Sequence, residues 1–181
     1  MTSPLIPRRV LFGNPDKVSP QISPDGKYLA YIAPTDNVLN LCLRNLEQPE
    51  ENAQDTVLTH DKDRGIRSYF WAEDSQHLLY VQDKGGNENW RLYGLDIQSG
   101  AIKDYTPFDT VQTQIVQKDK HHPNSLLIAL NKDNPQLHDV YRLDLSSGTL
   151  DKVAENPGNI VGWVSDANLS VRAAVAAQPD G

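Results

Sequence analysis

Short apolar runs recur along the chain about every ten residues, and clusters of Gly, Asn, Asp, Ser or Pro divide them. Runs of this length, rich in Tyr, Val, Leu and Ile and bounded by turn formers, predict antiparallel strands. Eight such strands are expected: KYLAYIA (27–33), VLNLCLR (38–44), IRSYFW (66–71), HLLYVQ (77–82), NWRLYGL (89–95), SLLIALN (125–131), DVYRLDL (139–145) and LSVRAAV (169–175). No apolar pattern keeps a 3.6-residue period beyond about ten residues, so little helix is expected. Trp71 and Trp90 fall in these runs, and with Trp163 they read as core residues rather than as surfaces that stack on sugars.

The pattern repeats. Tyr93, Leu95, Asp96, Ser99 and Gly100 return as Tyr141, Leu143, Asp144, Ser147 and Gly148, each 48 positions later. The turns SPDGKYLAY (23–31), AEDSQHLLY (72–80) and HPNSLLIA (122–129) align at a spacing of 49, with a weaker copy in SDANLSVRAA (165–174). A period of this size with about four short strands per unit points to an all-β fold, a β-propeller of four-stranded antiparallel blades. A β-sandwich also spaces short strands this closely, but it has no reason to repeat a turn sequence. Residues 1–14 read as an N-terminal extension and 15–181 as a partial propeller. Its blades are placed at about 15–62, 63–110 and 111–157, with a partial fourth at 158–181. QPDG (178–181) reads as a hairpin turn with no following strand, so an incomplete ring, and hence a fragment or an assembling chain, is expected.

Charge narrows the function classes. Lys and Arg total 17 against 24 for Asp and Glu, a net charge of −7. A nucleic-acid partner would require clustered cations, and none is expected. The longest apolar runs, LLIAL and AAVAA, are far below the ~20 residues of a membrane helix. The N-terminus lacks the apolar segment of a conventional signal peptide, so a cytoplasmic location and no membrane partner are expected. Cys42 is the one cysteine and lies in an apolar run, where it reads as a small core residue.

Catalytic patterns are missing. There is no G-x-S-x-G elbow, no phosphate-cradling glycine loop and no metal-ligand spacing among the five histidines. The pairs Ser99-Gly100 and Ser147-Gly148 occupy equivalent repeat positions and read as turns. No catalytic residue, metal or cofactor is therefore assigned. His121-His122 reads as part of a loop, and LEQPEENAQD (46–55) as a solvated connection between strands. The most distinctive stretch is GGNENW (85–90), whose Glu88, Asn89 and Trp90 are candidate loop contacts for a ligand or another domain. The competing reading is a hairpin whose polar residues satisfy their own turn.

DKGGNENWRLYGLD (83–96) is similar to the pattern D-x-x-G-D-E-N-[WY]-x-L-Y of prolyl oligopeptidase family serine peptidases. Gly86, Glu88, Asn89, Trp90, Leu92 and Tyr93 match it, and Asn87 stands where Asp is usual. SPQISPDGKYLAY (19–31) and LHDVYRLDLSSG (137–148) resemble the first-blade and third-blade segments of the branch that contains acylaminoacyl peptidases and dipeptidyl aminopeptidases. The resemblance runs from about Ile6 to Gly181. It implies a seven- or eight-bladed propeller that caps a C-terminal α/β-hydrolase domain with a Ser-Asp-His triad and admits short peptides. None of that triad is carried over to this chain. A stand-alone interaction module, completed by self-association or by a partner chain, is the alternative.

Overall fold

The computed structural model describes residues 5–178; the QPDG turn thus lies, apart from Gln178, outside the described residues. The chain divides into two compact units. One is Gly26–Arg67 with the residues up to Ile22, and the other is Ser23–Asp25 with the residues from Ser68 onward.

In the first unit, strands β1 (Val18–Ile22), β2 (Tyr28–Thr35), β3 (Val38–Asn45) and β4 (Asp55–Val57) form one antiparallel sheet in that order. The β2–β3 hairpin closes on Asp36 and Asn37, whose φ angles of 51° and 66° suit the tight turn that matches strand twist. β1 is the edge strand that tolerates Pro20, and its register shifts between Val18 and Gln21, where Ser19 has φ 54°. Ala30, Tyr31, Ile32, Leu41, Cys42 and Leu43 are buried. Burial pushes the Cys42 thiol pKa up, and the nearby Asp55 charge adds to the shift.

Asp55 departs from the expectation that 46–55 is wholly a connecting loop. A short 3-10 turn at Glu50–Asn52 lies within the connection, and Asp55 opens β4. There it accepts two hydrogen bonds from Arg44, at 2.5 and 3.0 Å, and one from Lys17 at 2.9 Å. Arg44 first, with Tyr31 and Lys17, holds the Asp55 carboxyl well below the usual range despite some desolvation. Helix appears once among the described residues, as the five-residue α1 (Arg8–Phe12).

The second unit holds two complete sheets and a hairpin. Strands β5 (Tyr69–Trp71), β6 (His77–Gln82), β7 (Arg91–Asp96) and β8 (Ile102–Asp104) pair in sequence order. So do β9 (Thr113–Lys118), β10 (Ser125–Asn134), β11 (Leu137–Asp144) and β12 (Leu150–Ala154). β13 (Ile160–Ser165) pairs with β14 (Val171–Ala176). Each sheet is a simple meander, and no strand leaves for another sheet as a Greek-key sandwich requires. The chain is thus an incomplete β-propeller of three four-stranded blades and the first two strands of a fourth.

Packing explains the apolar runs. Leu126, Ile128 and Leu130 of β10 join Leu79, Leu92, Tyr105, Tyr141 and Leu143 in the core between the second and third blades. Leu127, on the opposite face of β10, packs with Val140 and Leu169 and against Trp163. A strand covered on both faces reads as continuous rather than alternating apolar sequence, which is why LLIAL looks as it does. Each fully buried leucine or isoleucine contributes about 1.5–3 kcal/mol. Tyr105 extends across the blade boundary, its hydroxyl donating to the Leu145 carbonyl at 2.7 Å. Burial first, then the charges of Asp74, Asp144 and Asp96, push its pKa up to about 12, so it stays a donor.

The repeated residues prove to be turn closures. Asp96 Oδ1 accepts from the backbone N–H of Gln98 and Ser99, at 3.0 and 2.7 Å, and Gly100 follows with φ 71°. Asp144 Oδ1 accepts from Ser147 N–H at 2.8 Å and from the hydroxyls of Ser146 and Ser147. Ser146 first, with Ser147, lowers the Asp144 pKa to about 2. Asp74 holds the next type of turn, accepting from Gln76 and His77 N–H, and His77 Nδ1 lies 2.6 Å from its other oxygen. The Asp74 carboxylate raises the His77 pKa, against desolvation, and Asp96 adds to it.

Candidate functional site

The loop of interest joins β6 to β7 across residues 83–90. Gly85 and Gly86 have φ 63° and 81°, and Glu88 takes the same left-handed conformation at 59°. A side-chain-bearing residue held there costs free energy, so the surroundings must impose it. They do so from two sides. Within the loop, Asn87 N–H donates to the Lys84 carbonyl at 3.3 Å, Asn89 N–H to Asn87 Oδ1 at 3.0 Å, and Glu88 N–H to the buried Asp83 at 3.4 Å.

From outside, the segment before β9 clamps it. Asn89 Nδ2 donates to the Asp109 carbonyl at 2.9 Å, Gln112 Nε2 to the Glu88 carbonyl at 3.4 Å, and Thr113 N–H to the Trp90 carbonyl at 2.9 Å. Arg91 bridges Asp104 at 3.2 Å and Asp109 at 3.5 Å. The loop is therefore a braced platform rather than a loose connection.

The three candidate residues are brought together, in different roles. Asn89 is partly buried and fastens the loop, and Trp90 is half-buried and lies just before β7 rather than inside a strand. Glu88 is exposed, and its carboxylate accepts no hydrogen bond among the described residues. The side chains that bond the loop amides are those of Asp83 and Asn87, which sequence reasoning did not single out. Of the other tryptophans, Trp71 is buried, whereas Trp163 is half-buried and donates from Nε1 to the His138 carbonyl at 3.0 Å.

A concavity of about 310 Å³ lies in the first unit and is lined by Thr35, Asp36, Val38, Asn40, His60, Asp61 and Lys62. Its floor is rigid. Buried Asn40 donates to the Val38 and Asp61 carbonyls, both at 3.1 Å, and accepts from Thr59 and from Asp61 N–H at 2.9 and 2.7 Å. Among the described residues, no three His, Cys, Asp or Glu side chains converge to hold a metal. No helix there is long and apolar enough to cross a membrane. Ser99 and Ser147 sit in the aspartate-closed turns.

No family profile matches the chain. It is 41% identical over 177 residues to dipeptidyl aminopeptidase BIII of Pseudoxanthomonas mexicana, covering 98% of this chain and 25% of that protein. It is 31% identical to dipeptidyl peptidase family member 6 of Caenorhabditis elegans, covering 98% of this chain and 24% of that protein. The chain thus spans about a quarter of the length of these curated relatives. Among solved structures, the β-propeller domain of the Trilobed protease from Pyrococcus furiosus superposes with a TM-score of 0.56 at 23% identity, covering 82% of this chain and 46% of that one. An acylaminoacyl peptidase from Pyrococcus horikoshii gives a TM-score of 0.51 at 18% identity, covering 77% and 25%. These structural matches bear on the fold, and the near full-length sequence matches bear on the family. The expected resemblance to prolyl oligopeptidase family peptidases thus extends over nearly the whole chain, which is similar to one quarter of dipeptidyl aminopeptidases, and its blades have the fold of peptidase β-propeller domains.

Proposed function

We propose that this chain is the N-terminal propeller portion of a cytoplasmic serine oligopeptidase, with residues 1–14 preceding the propeller and 15–181 forming part of it. In this reading the propeller gates the approach of short peptides to a Ser-Asp-His hydrolase domain located further along a longer polypeptide. The observation that carries it is the match of nearly the whole chain to one quarter of a dipeptidyl aminopeptidase, together with the blade architecture. The serines of the repeated Ser-Gly pairs fit this reading, since both are held in aspartate-closed turns.

Glu88, Asn89 and Trp90 fit this role as a contact surface. The loop holds Glu88 in a fixed, strained backbone conformation while its carboxylate faces outward. An exposed carboxylate on a fixed backbone can accept from a cationic or N–H-bearing ligand.

The test compares the purified 181-residue chain with the longer natural chain that contains it. The 181-residue chain is expected not to hydrolyse aminoacyl or dipeptidyl chromogenic substrates. The longer chain is expected to hydrolyse them and to be labelled covalently by a serine-directed phosphonate. Turnover by the 181-residue chain, or a longer chain that neither turns over substrate nor takes the label, would overturn the proposal.

A further inference from the structure

Thr113, Leu130 and Asp139 pair across β9, β10 and β11, and Gln112, Asn131 and His138 stand beside them at the hairpin end of the third blade. Side chains tie these three together. Buried Asn131 accepts from the Gln112 N–H at 2.6 Å and donates to the Pro135 carbonyl at 3.0 Å. The His138 ring hydrogen-bonds the Gln112 backbone, and because that bond favours the protonated ring it is donated to the Gln112 carbonyl. Among the described residues, His138 Nε2 is buried and has no hydrogen-bond partner. The donor is therefore Nδ1, and the site suits a neutral ring with its proton there.

Gln112 also reaches the second blade. Its side-chain amide donates to the Glu88 carbonyl at 3.4 Å, and the N–H of Thr113 donates to the Trp90 carbonyl at 2.9 Å. The imidazole is thus joined through one residue to the strained backbone of the 83–90 loop. Its other surroundings are just as firm. His138, Val140 and Arg142 alternate onto one face of β11. There Val140 belongs to the cluster that packs against Trp163, and Arg142 donates to the Asn168 and Leu169 carbonyls at 3.1 and 3.0 Å. Trp163 Nε1 donates to the carbonyl of His138 itself at 3.0 Å.

We infer that His138 is a positioning residue for the 83–90 loop: its neutral ring holds Gln112, and with it the Glu88 and Trp90 carbonyls, and a second proton on the ring releases that hold. The meaning of this for peptide contact rests on the proposed function. A proton on Nε2 would create a buried charge with no acceptor, which costs more than one lost hydrogen bond. The half-buried ring relieves that cost by turning to water, and the Gln112 carbonyl then loses its donor. Charges on the neighbouring elements offset little of it. Asp139 adjoins the ring on β11 and favours protonation, but it is engaged by Lys152 and by the Asn156 N–H, both at 2.8 Å. On β10, Asp133 is engaged by Lys152 and Tyr141, and Lys132 adds a positive charge. Before β9, Asp109 pairs with Arg91 at 3.5 Å. Glu155, ahead of β13, is exposed, and β13 carries no charged residue. Desolvation therefore leads and lowers the His138 pKa. The hold is complete above about pH 6.5, the ordinary imidazole value, and is lost progressively as the pH falls below it.

The test is amide hydrogen exchange, read by mass spectrometry on the longer natural chain at about pH 7.5 and about pH 5 and corrected for the pH dependence of intrinsic exchange. Residues 83–90 and 109–114 are expected to lose protection roughly threefold to tenfold at the lower pH, while 126–130 in β10 stay protected. His138→Asn, whose amide donates from the Nδ1 position but takes no proton, is expected to keep the loop protected at both values. His138→Ala is expected to show the acid level of protection at both; should it fail to fold, the parent and asparagine chains still decide. A parent loop whose protection ignores pH, or a His138→Asn chain that follows the parent, would overturn the inference. So would loss of protection at 126–130 in parallel with the loop, since acid would then be unfolding the whole blade. Peptidase activity measured on the same preparation separates the two ideas. Activity with a pH-insensitive loop removes only the role of His138, and a pH-sensitive loop without activity removes only the peptidase reading.

Discussion

Gly94→Val is expected to unfold the second and third blades or to destabilise them by at least about 3 kcal/mol, the upper range for overpacking a filled core. A Cβ at position 94 of β7 would lie 2.4 Å from Cε2 of Tyr105 and 3.1 Å from Cδ2 of Leu79. Neither neighbour can give way. Tyr105 is 3% exposed and its hydroxyl is fixed to the Leu145 carbonyl, and Leu79 is 1% exposed in the same core. The ring of Tyr105 covers the bare glycine in the strand beside it, a device that compensates for the missing side chain. Urea titration followed by tryptophan fluorescence reads the effect. Gly162→Ala, where the backbone is not left-handed and an added Cβ meets only ordinary contacts at 3.7 and 3.9 Å, serves as the control and should change stability by no more than about 1 kcal/mol.

Asn40→Ala in the first unit is expected to cost about 3 kcal/mol. The amide of Asn40 is 1% exposed and uses both ends: it donates to two carbonyls and accepts from a hydroxyl and a backbone N–H. Alanine removes these partners and supplies none in return, taking the acceptor from the buried Thr59 hydroxyl and the partners from the partly buried backbone groups of Val38 and Asp61. Because the Asn40 amide joins β3 to the 59–61 segment, the loop carrying His60, Asp61 and Lys62 should loosen as well. Faster amide exchange across residues 59–66 would show this. A variant as stable as the parent chain would mean that water replaces the lost bonds at no cost.

The two positions differ in how far sequence alone reveals them. Asn40 interrupts the apolar run VLNLCLR, and a polar residue inside a buried strand signals a side chain with a structural task. Its partners at 59–61 are some twenty residues away and invisible to local pattern. The eight expected strands correspond to β2, β3, β5, β6, β7, β10, β11 and β14, and all but β14 bury large side chains on one or both faces. Strands β4, β8 and β12 escaped because DTV, IKD and LDKVA lie at sheet edges, where burial does not select an apolar pattern. The runs at 66–71 and 89–95 begin as strands only at Tyr69 and Arg91, since the residues before them belong to connections. β1 also eluded pattern reading, with Pro20 and a register shift disguising it.

At the candidate site, the glycines and the GGNENW resemblance mark the loop, and the structure adds what fastens it. The Asn89 bond to the Asp109 carbonyl and the Gln112 bond to the Glu88 carbonyl span 20 and 24 residues. Contacts at that separation arise from the succession of blades and have no local signature. The repeated Asp-x-x-Ser-Gly was legible at once, because the same local geometry requires the same short polar side chains wherever it occurs.

The proposed gating of a peptidase by this propeller is open to a direct test by substrate size. The most direct measurement is the rate at which the longer natural chain cleaves one N-terminal sequence presented first as a short chromogenic peptide and then on a stably folded protein. Gating predicts rapid release from the peptide and none above background from the folded protein. Comparable rates on both would contradict it.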